Sequence, residues 1–467
     1  MAASDQLKLM SAAEFEKWLL SDEKHLPPHR FTEEIHIAGP KIRAKRISGC
    51  HFKEPFILSL DESTSMHFSN CHFDDEIDIS ISTVRHFISF DNCKIDLLKF
   101  DCCQGGKYQL TNCLVSRSVM FNNVERYSQI NLLSSEINQN IEFRFLNCRE
   151  ENSTIFLREL EVNGKLIVSG GTPIKDLLIH SGLYNCCYFG TEVTNLRFLG
   201  NSKPLIMGDV HFDGHNYPGG ISFEGVEITE LNMYGLANTN TSFRFHDVVI
   251  KEVWNFMSST LTDFKAIHLT FADDCKIYLD NSIITNCAFS NVKWPKGHQV
   301  QSIYENKDKR KKNRSLRETY RQLKQAMLKD GNNIDALAFY RNEMEAYREF
   351  IKDNKDIDWQ EKLIVRLSRW ASDHGQSLKR PIIGLFGFHL LFFLIAIGIN
   401  YNGFYFTPNH DWSTVWDFIG SYFYLLNPVH KLPDTHGGML IVDFLMRLSS
   451  GFFIYHIIRA SRKFAKV

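Results

Sequence analysis

Apolar and polar residues alternate in short runs from Ile35 to about Trp294, as in EIDISIS (76–82), HFISF (86–90) and IEFRF (141–145), with Asn, Gly and Ser between the runs. Period-two runs bounded by turn formers predict strands with one face buried. The runs also repeat. Cys50, Cys71, Cys93 and Cys113 lie 21, 22 and 20 residues apart, the last three each after an Asn, and Asn147-Cys148, Asn185-Cys186 and Asn286-Cys287 recur at looser spacing. A period near twenty without helical segments predicts a mainly β fold, a β-solenoid over residues 31–296 in which each coil stacks on the one before. Asn suits the corner because it tolerates left-handed backbone, and Cys beside it because a small buried side chain stacks inward. At a strand spacing of about 4.8 Å, roughly a dozen coils make a rod on the order of 60 Å long.

On either side of this region the periodicity becomes helical. Residues 1–30 hold Phe15, Trp18 and Leu19 at helical spacing in Ser11–Leu20, which reads as a cap on the open end of the first coil. Residues 297–314 read as a linker ending in the basic run KDKRKKNR. Residues 315–355 predict a helical hairpin. Its first helix, capped by Asn313 or Ser315, carries Tyr320, Leu323 and Met327 on one face; its second, from Ile334, carries Leu337, Tyr340, Met344, Tyr347 and Ile351. Residues 356–380 contain an amphipathic helix, WQEKLIVRLSRW (359–370), suited to a membrane surface.

Residues 381–467 form a membrane hairpin. Ile382–Asn400 carries no acidic or basic residue apart from His389, and Met439–Ile458 is long enough to cross as well, although it holds Asp443 and Arg447. Between them Ser413–Asn427 is apolar but too short to cross, so it is buried, interfacial or re-entrant. Arg366, Arg369, Lys379 and Arg380 precede the first span and Arg459, Arg462, Lys463 and Lys466 follow the second, against Lys431 alone between them. The positive-inside rule then puts both termini in the cytoplasm, with the chain multi-pass in an inner (plasma) membrane.

The formal net charge of −1 over 467 residues removes a nucleic-acid binder driven by basicity. Eleven cysteines and no apolar signal core near the N-terminus point to reduced thiols in a cytosolic domain. No nucleophile elbow, phosphate loop or HExxH motif is present, and the acidic pairs Asp74-Asp75 and Asp273-Asp274 diverge if they lie on strands, so no enzyme is expected. Cys50-His51 and Cys71-His72 invite a metal reading, but neighbours on a strand point to opposite faces, and Cys102-Cys103 and Cys186-Cys187 lack CxxC spacing. Neither a metal nor a cofactor is expected. Lys307–Arg314 reads as a solvated linker or an anionic-lipid contact.

Asp443 and Arg447 share a helix face with the acid first, the favourable order. Charges at that depth cost about 2.5–3.5 kcal/mol each and usually face a bundle interior or water. The pair either lines or steadies a pore, or holds neighbouring helices in register. Gly451 is either a hinge or a small residue that lets helices pack closely. His389 is expected to hydrogen-bond between helices; His410, His430 and His436 fall in the external connection, where solvation is expected.

The order of solenoid, helical hairpin and two spans resembles bacterial membrane proteins that join a degenerate pentapeptide-repeat domain to a two-span pore module like that of potassium channels. YRQLKQAMLKDGNNIDALAFYRNEMEAYRE (320–349) looks like the helical hairpin of that group, and DFLMRLSSGFFIYHIIRASRKF (443–464) is similar to its inner helix. The resemblance implies a right-handed solenoid and a homo-oligomeric pore, a tetramer favoured. It puts Ser413–Asn427 in the place of the pore helix, with Trp416, Asp417, Phe418 and Tyr422 in that re-entrant element. Tyr320, Tyr340, Glu343 and Arg348 fall in the hairpin that relays the state of the solenoid. Leu426-Asn427-Pro428-Val429-His430 stands where a TVGYG-like run would follow, so the potassium-selecting carbonyl ladder is not carried over. Asn427, His430, Asp443, Arg447 and Gly451 are then the pore or gate candidates. The expected partners are membrane lipids, further copies of the chain and a cytosolic ligand or protein on the solenoid. A stress or anti-phage permeabilising effector suits this architecture; a tethered scaffold whose spans only anchor it is the alternative.

Overall fold

The computed structural model describes the chain except residues 1–6, 40–41, 43, 61–63, 82–85, 102–105, 125–127, 146–152, 172, 201–202, 214–216, 237–240, 305–307, 353, 355–356, 401–411, 431–436 and 462–467, and the side chains of 400, 412–414 and 417. It forms two units, residues 1–303 and 304–467.

The first unit is a β-solenoid of about 11 turns. One column of paired residues runs its length: Ile35, Phe56, Ile77, Leu98, Val119, Ile141, Leu166, Cys187, Val210, Leu231, Trp254 and Ile277, each in parallel register with the next. All twelve are buried. Identical side chains meet coil upon coil, with Phe31, Phe52 and Phe73 stacked at 4.6 Å per step and Phe198, Phe223 and Phe245 at 4.5 and 4.9 Å. Stacked aromatics of this kind add about 0.5–1.5 kcal/mol per pair beyond their buried area.

The corner beside the cysteines explains the repeat. Gly49, Asn70, Asn92, Asn112, Ser134, Glu159 and Ser181 all have φ between 48° and 66°, and the same corner continues through Gly225, Asp247, His268 and Asn291. The residue after nine of these turns inward, Cys50, Cys71, Cys93 and Cys113 first, then Ser135, Leu160 and later Val226, Val248 and Leu269, all buried, while Gly182 and Val292 are half-buried. The thiols donate to carbonyls, as Cys113 Sγ does to Thr111 O at 3.3 Å and Phe90 O at 3.5 Å, and the Ser135 hydroxyl makes the equivalent bond to Leu133 O at 2.9 Å. Asn185-Cys186 does not belong to this series, because it lies inside the long strand Ile174–Gly190. Asn147-Cys148 and Cys102-Cys103 lie outside the described residues.

Helix α1 (Ala12–Leu20) closes the first coil. Ser11 and Glu14 form a reciprocal capping box, and the Phe15 ring meets Phe31, Phe52 and Phe56 at 5.2–6.2 Å. Its C-terminal end is held by Lys45, 2% exposed, whose ammonium donates to the carbonyls of Trp18, Ser21 and Glu23 at 2.9, 2.8 and 2.6 Å. A cation is favourable there because the last carbonyls of a helix lack partners and carry negative partial charge.

The second unit is helical: α2 (Lys309–Lys329), α3 (Asn333–Lys352), α4 (Trp359–Ser372), α5 (Lys379–Asn400), α6 (Trp412–Leu426) and α7 (Gly438–Ser461). Two details differ from expectation. The α2 helix starts at Lys309 with Asp308 as its cap, so most of the basic run is helix rather than linker. The buried stripe of α3 is Ala336, Phe339, Glu343, Ala346 and Ile351, one position away from Leu337, Tyr340, Met344 and Tyr347, which are half-buried. Phe339 packs on Tyr320 at 6.4 Å and Glu343 accepts from Lys324 Nζ at 2.6 Å, so a buried ion pair occupies a stripe that apolar spacing alone would have rotated outward.

α5 and α7 are antiparallel, with Phe393, Ala396 and Ile397 packed on Met439, Val442 and Met446, and Leu385 on Phe453. A Cβ on Gly384 would sit 2.3 Å from the Phe453 ring, so that glycine is what allows the approach. Both helices are long and apolar enough to cross a membrane, yet only 28% and 33% of their apolar windows are buried. Ile441, Phe444 and Leu448 of α7 and Ile383 and Leu391 of α5 face outward. A core helix of a soluble protein buries its apolar surface; these leave it bare, which fits a membrane protein with a soluble solenoid domain. α6, at 15 residues, is about 22 Å long at 1.5 Å per residue, short of the ~30 Å hydrocarbon core. Tyr422 and Leu425 pack it against the α5–α7 core.

Candidate functional site: an ionic cluster between α6 and α7

Asp443 and Arg447 lie one turn apart on α7, and Arg447 Nε donates to Asp443 Oδ2 at 2.8 Å. The other carboxylate oxygen is taken: His430, in the turn after α6, approaches Oδ1 through Nε2 at 2.7 Å. His430 Nδ1 lies 2.6 Å from the Asn427 carbonyl oxygen. That turn is braced locally, with Val429 N–H donating to Asn427 Oδ1 at 3.0 Å and His430 N–H to Asn427 O at 3.1 Å. The His430 side chain is fully buried, that of Asp443 10% exposed and that of Arg447 35% exposed. His430 is therefore not a solvated loop residue. His410 and His436 lie outside the described residues.

Both imidazole nitrogens of His430 face oxygens. One nitrogen faces the Asn427 carbonyl and the other the Asp443 carboxylate, so the ring bridges the turn after α6 to α7.

Of the other candidates, those in α6 lie beside this cluster and those in the hairpin lie toward the other end of α7. His389 of α5 reaches the Tyr422 carbonyl oxygen at 3.1 Å through Nε2, and Tyr422 Oη donates to Phe386 O at 3.1 Å, so α6 is tied to α5 as well as to α7. Trp416 is exposed, Phe418 turns toward α5 with its ring 5.0 Å from Phe393, and the Asp417 side chain lies outside the described residues. Gly451 is exposed and a Cβ there would meet nothing within 4 Å, so close packing among the described residues does not require it. In the hairpin, Tyr320 belongs to the α2–α3 core and Glu343 to the Lys324 pair, while Arg348 pairs with Glu345 at 2.7 Å and with Glu349.

Two links went unforeseen. Arg459 Nη2 donates to Tyr340 Oη at 2.8 Å with its guanidinium 5.3 Å from that ring, joining the end of α7 to the hairpin. Ser372 of α4 bonds His456 Nδ1 of α7 at 2.9 Å. Nothing in local spacing signals a contact between residues 119 apart. Beside them His374 is 1% exposed with neither ring nitrogen hydrogen-bonded, and burial lowers its pKa to about 4.

On the solenoid the Cys-His pairs split as expected, with the cysteines inward, but the histidines converge. His51 and His72 are in register one coil apart, their rings stacked at 4.8 Å, and their Nε2 atoms meet the two oxygens of Asp74 at 2.8 and 3.1 Å. Asp247 bridges His246 and His268 in the same way at 3.1 and 3.0 Å. Both groups are of metal-ligating type, which strand alternation within one coil did not anticipate, because the partners come from adjacent coils. Compared with known protein families, curated proteins and solved structures, the chain matches none.

Proposed function

We propose that the chain is an inner-membrane protein whose C-terminal helices assemble, as a tetramer by preference, into an ion-conducting pore controlled by its cytosolic solenoid, in the service of a stress or anti-phage response. The observation that carries this reading is α6: an apolar helix of 15 residues, too short to cross, tied to α5 through Tyr422 and pinned to α7 through His430 and Asp443. An anchor needs two spans and nothing between them. A re-entrant helix whose end is held by a buried ionic cluster is the way a pore entrance is built and kept rigid. Arg459 and Tyr340 offer a route from the hairpin to α7. The basic ends of α5 and α7 lie on one side of the antiparallel pair, as cytoplasmic termini require.

The test is ion flux into liposomes holding the full chain, with Asp443→Ala and Arg447→Ala beside it. Flux that changes with both variants supports the pore. One observation favours the tethered scaffold instead: both nitrogens of His430 and both carboxylate oxygens of Asp443 find partners within a single chain, as a passive anchor would need. Inserted protein that is silent in all forms would decide for that reading.

A further inference from the structure

Four arginines from three helices converge at the start of α5. Arg348 of α3, Arg366 and Arg369 of α4 and Arg380 of α5 line one end of a groove of about 820 Å³, whose other end runs down α5 along Gly387, Phe388 and Leu391. That volume lies within the ~300–1,000 Å³ of small-molecule sites. The arginines are not all neutralised. Arg348 pairs with Glu345 and Glu349 and Arg369 with Glu345 at 3.3 Å, but Arg380 reaches Asp373 only at 3.9 Å. Arg366 has no carboxylate in ion-pair range among the described residues, and Arg348 Nε is buried without a hydrogen-bond partner. A second groove of about 630 Å³ opens on the other side of Ile383 and Gly387, between α5 and α6, where it is walled by Phe418, Ile419 and Tyr422. A Cβ at Gly387 would meet nothing within 4 Å. Its missing side chain therefore does not serve packing; it leaves the floor shared by the two grooves open.

We infer that this is a binding site for one anionic phospholipid, its phosphate held by Arg366 and Arg380 and its two acyl chains lying in the two grooves astride α5. The inference rests on the reading of α5 as a membrane span. The arginines sit at the end of the span, at the level of headgroups, and the apolar walls continue toward its middle. Arg is suited to a phosphodiester because its planar fork donates two parallel hydrogen bonds. Trp370, 5.7 Å edge-on to Phe388, stands at the rim, where interfacial aromatics gather. Two grooves on one anion site match a two-chain lipid, whereas a soluble phosphate would leave both grooves bare.

The experiment is native mass spectrometry of the full chain released from bilayer discs holding phosphatidylglycerol and phosphatidylcholine in equal amounts. Phosphatidylglycerol should be retained preferentially, and Arg366→Gln and Arg380→Gln should each lower its retention about fivefold, since a basic residue at the surface contributes about a kcal/mol toward an anionic lipid. Gly387→Trp, which fills the grooves without touching the arginines, should lower retention of both lipids. Equal retention of the two lipids, or indifference to all three substitutions in a chain that is incorporated, overturns the site. Displacement of the lipid by inorganic phosphate assigns the arginines to a soluble anion and overturns it too, as does an oligomer that dissociates in the arginine variants with lipid retention unchanged. A chain that fails to float with the bilayer overturns the membrane reading itself.

Discussion

Asp443→Ala removes the acceptor shared by His430 Nε2 and Arg447 Nε, contacts of 2.7 and 2.8 Å. Removing one partner of a buried charge pair costs about 3–5 kcal/mol. Arg447, 35% exposed on its side chain, can turn to other acceptors and recover part of that, while the fully buried His430 cannot. The lower end, about 3 kcal/mol, is therefore the expectation, and at about 1.4 kcal/mol per factor of ten the docked turn loses roughly a hundredfold in population. The reporters are the amides of Val429 and His430, both bonded to Asn427 when the turn is docked. Their hydrogen exchange in the full chain should accelerate by about two orders of magnitude. Adding Arg447→Ala should restore less than a tenfold part of the loss, because the stranded histidine remains. Exchange in Asp443→Ala within twofold of the unaltered protein, with the chain still inserted, would show that the cluster does not hold the turn.

Acid should destabilise the helical unit through His374: its folded pKa of about 4 lies below the unfolded value near 6.5, so stability is complete above pH 6.5 and falls by about 3 kcal/mol as pH drops toward 4. A pH series of melting midpoints should lose part of its slope in His374→Phe; identical slopes would refute this. Lys45→Met removes a buried donor from the carbonyls of Trp18, Ser21 and Glu23, with Trp18 O keeping its bonds from Ser21, and should cost about 1–3 kcal/mol, seen as faster exchange over Ala12–Leu20 and not elsewhere. Alkylation of the native protein should reach half-exposed Cys186 well before Cys71 or Cys275, since a hydrogen bond with Cys50 together with burial pushes the Cys71 thiol up to about 12 and burial alone does the same to Cys275. Peptide mapping after brief treatment reads the order.

The solenoid was legible as far as Cys113 because one residue type filled one corner. Beyond it the geometry persists while the chemistry changes: Ser135, Leu160 and Val226 take the inward position, and Glu159 and His268 adopt left-handed backbone that only Asn or Gly advertises in a sequence. The Asp443–Arg447 pair was legible from helical spacing; His430 was named beside it only through the resemblance, and its bond to Asp443 was not legible, because it reaches the site across a connection whose path no local pattern specifies. The α3 stripe was misplaced by one residue because hydrophobic periodicity has no way to count Glu343 as interior; only Lys324 on the facing helix makes it so.

The solenoid's pairings also set an order of events. Each ladder step joins residues only 19 to 25 positions apart, from Lys8 with His29 to Tyr278 with Gln301, and all of it precedes α5 in the chain. A coil can therefore stack as soon as it leaves the ribosome, on a neighbour already in place, with α1 ready to cover the first. Stalled nascent chains with residues 1–303 exposed should resist protease before any apolar helix has been made. On the proposed topology, insertion of the two apolar helices then starts from a chain whose larger unit has already closed on itself.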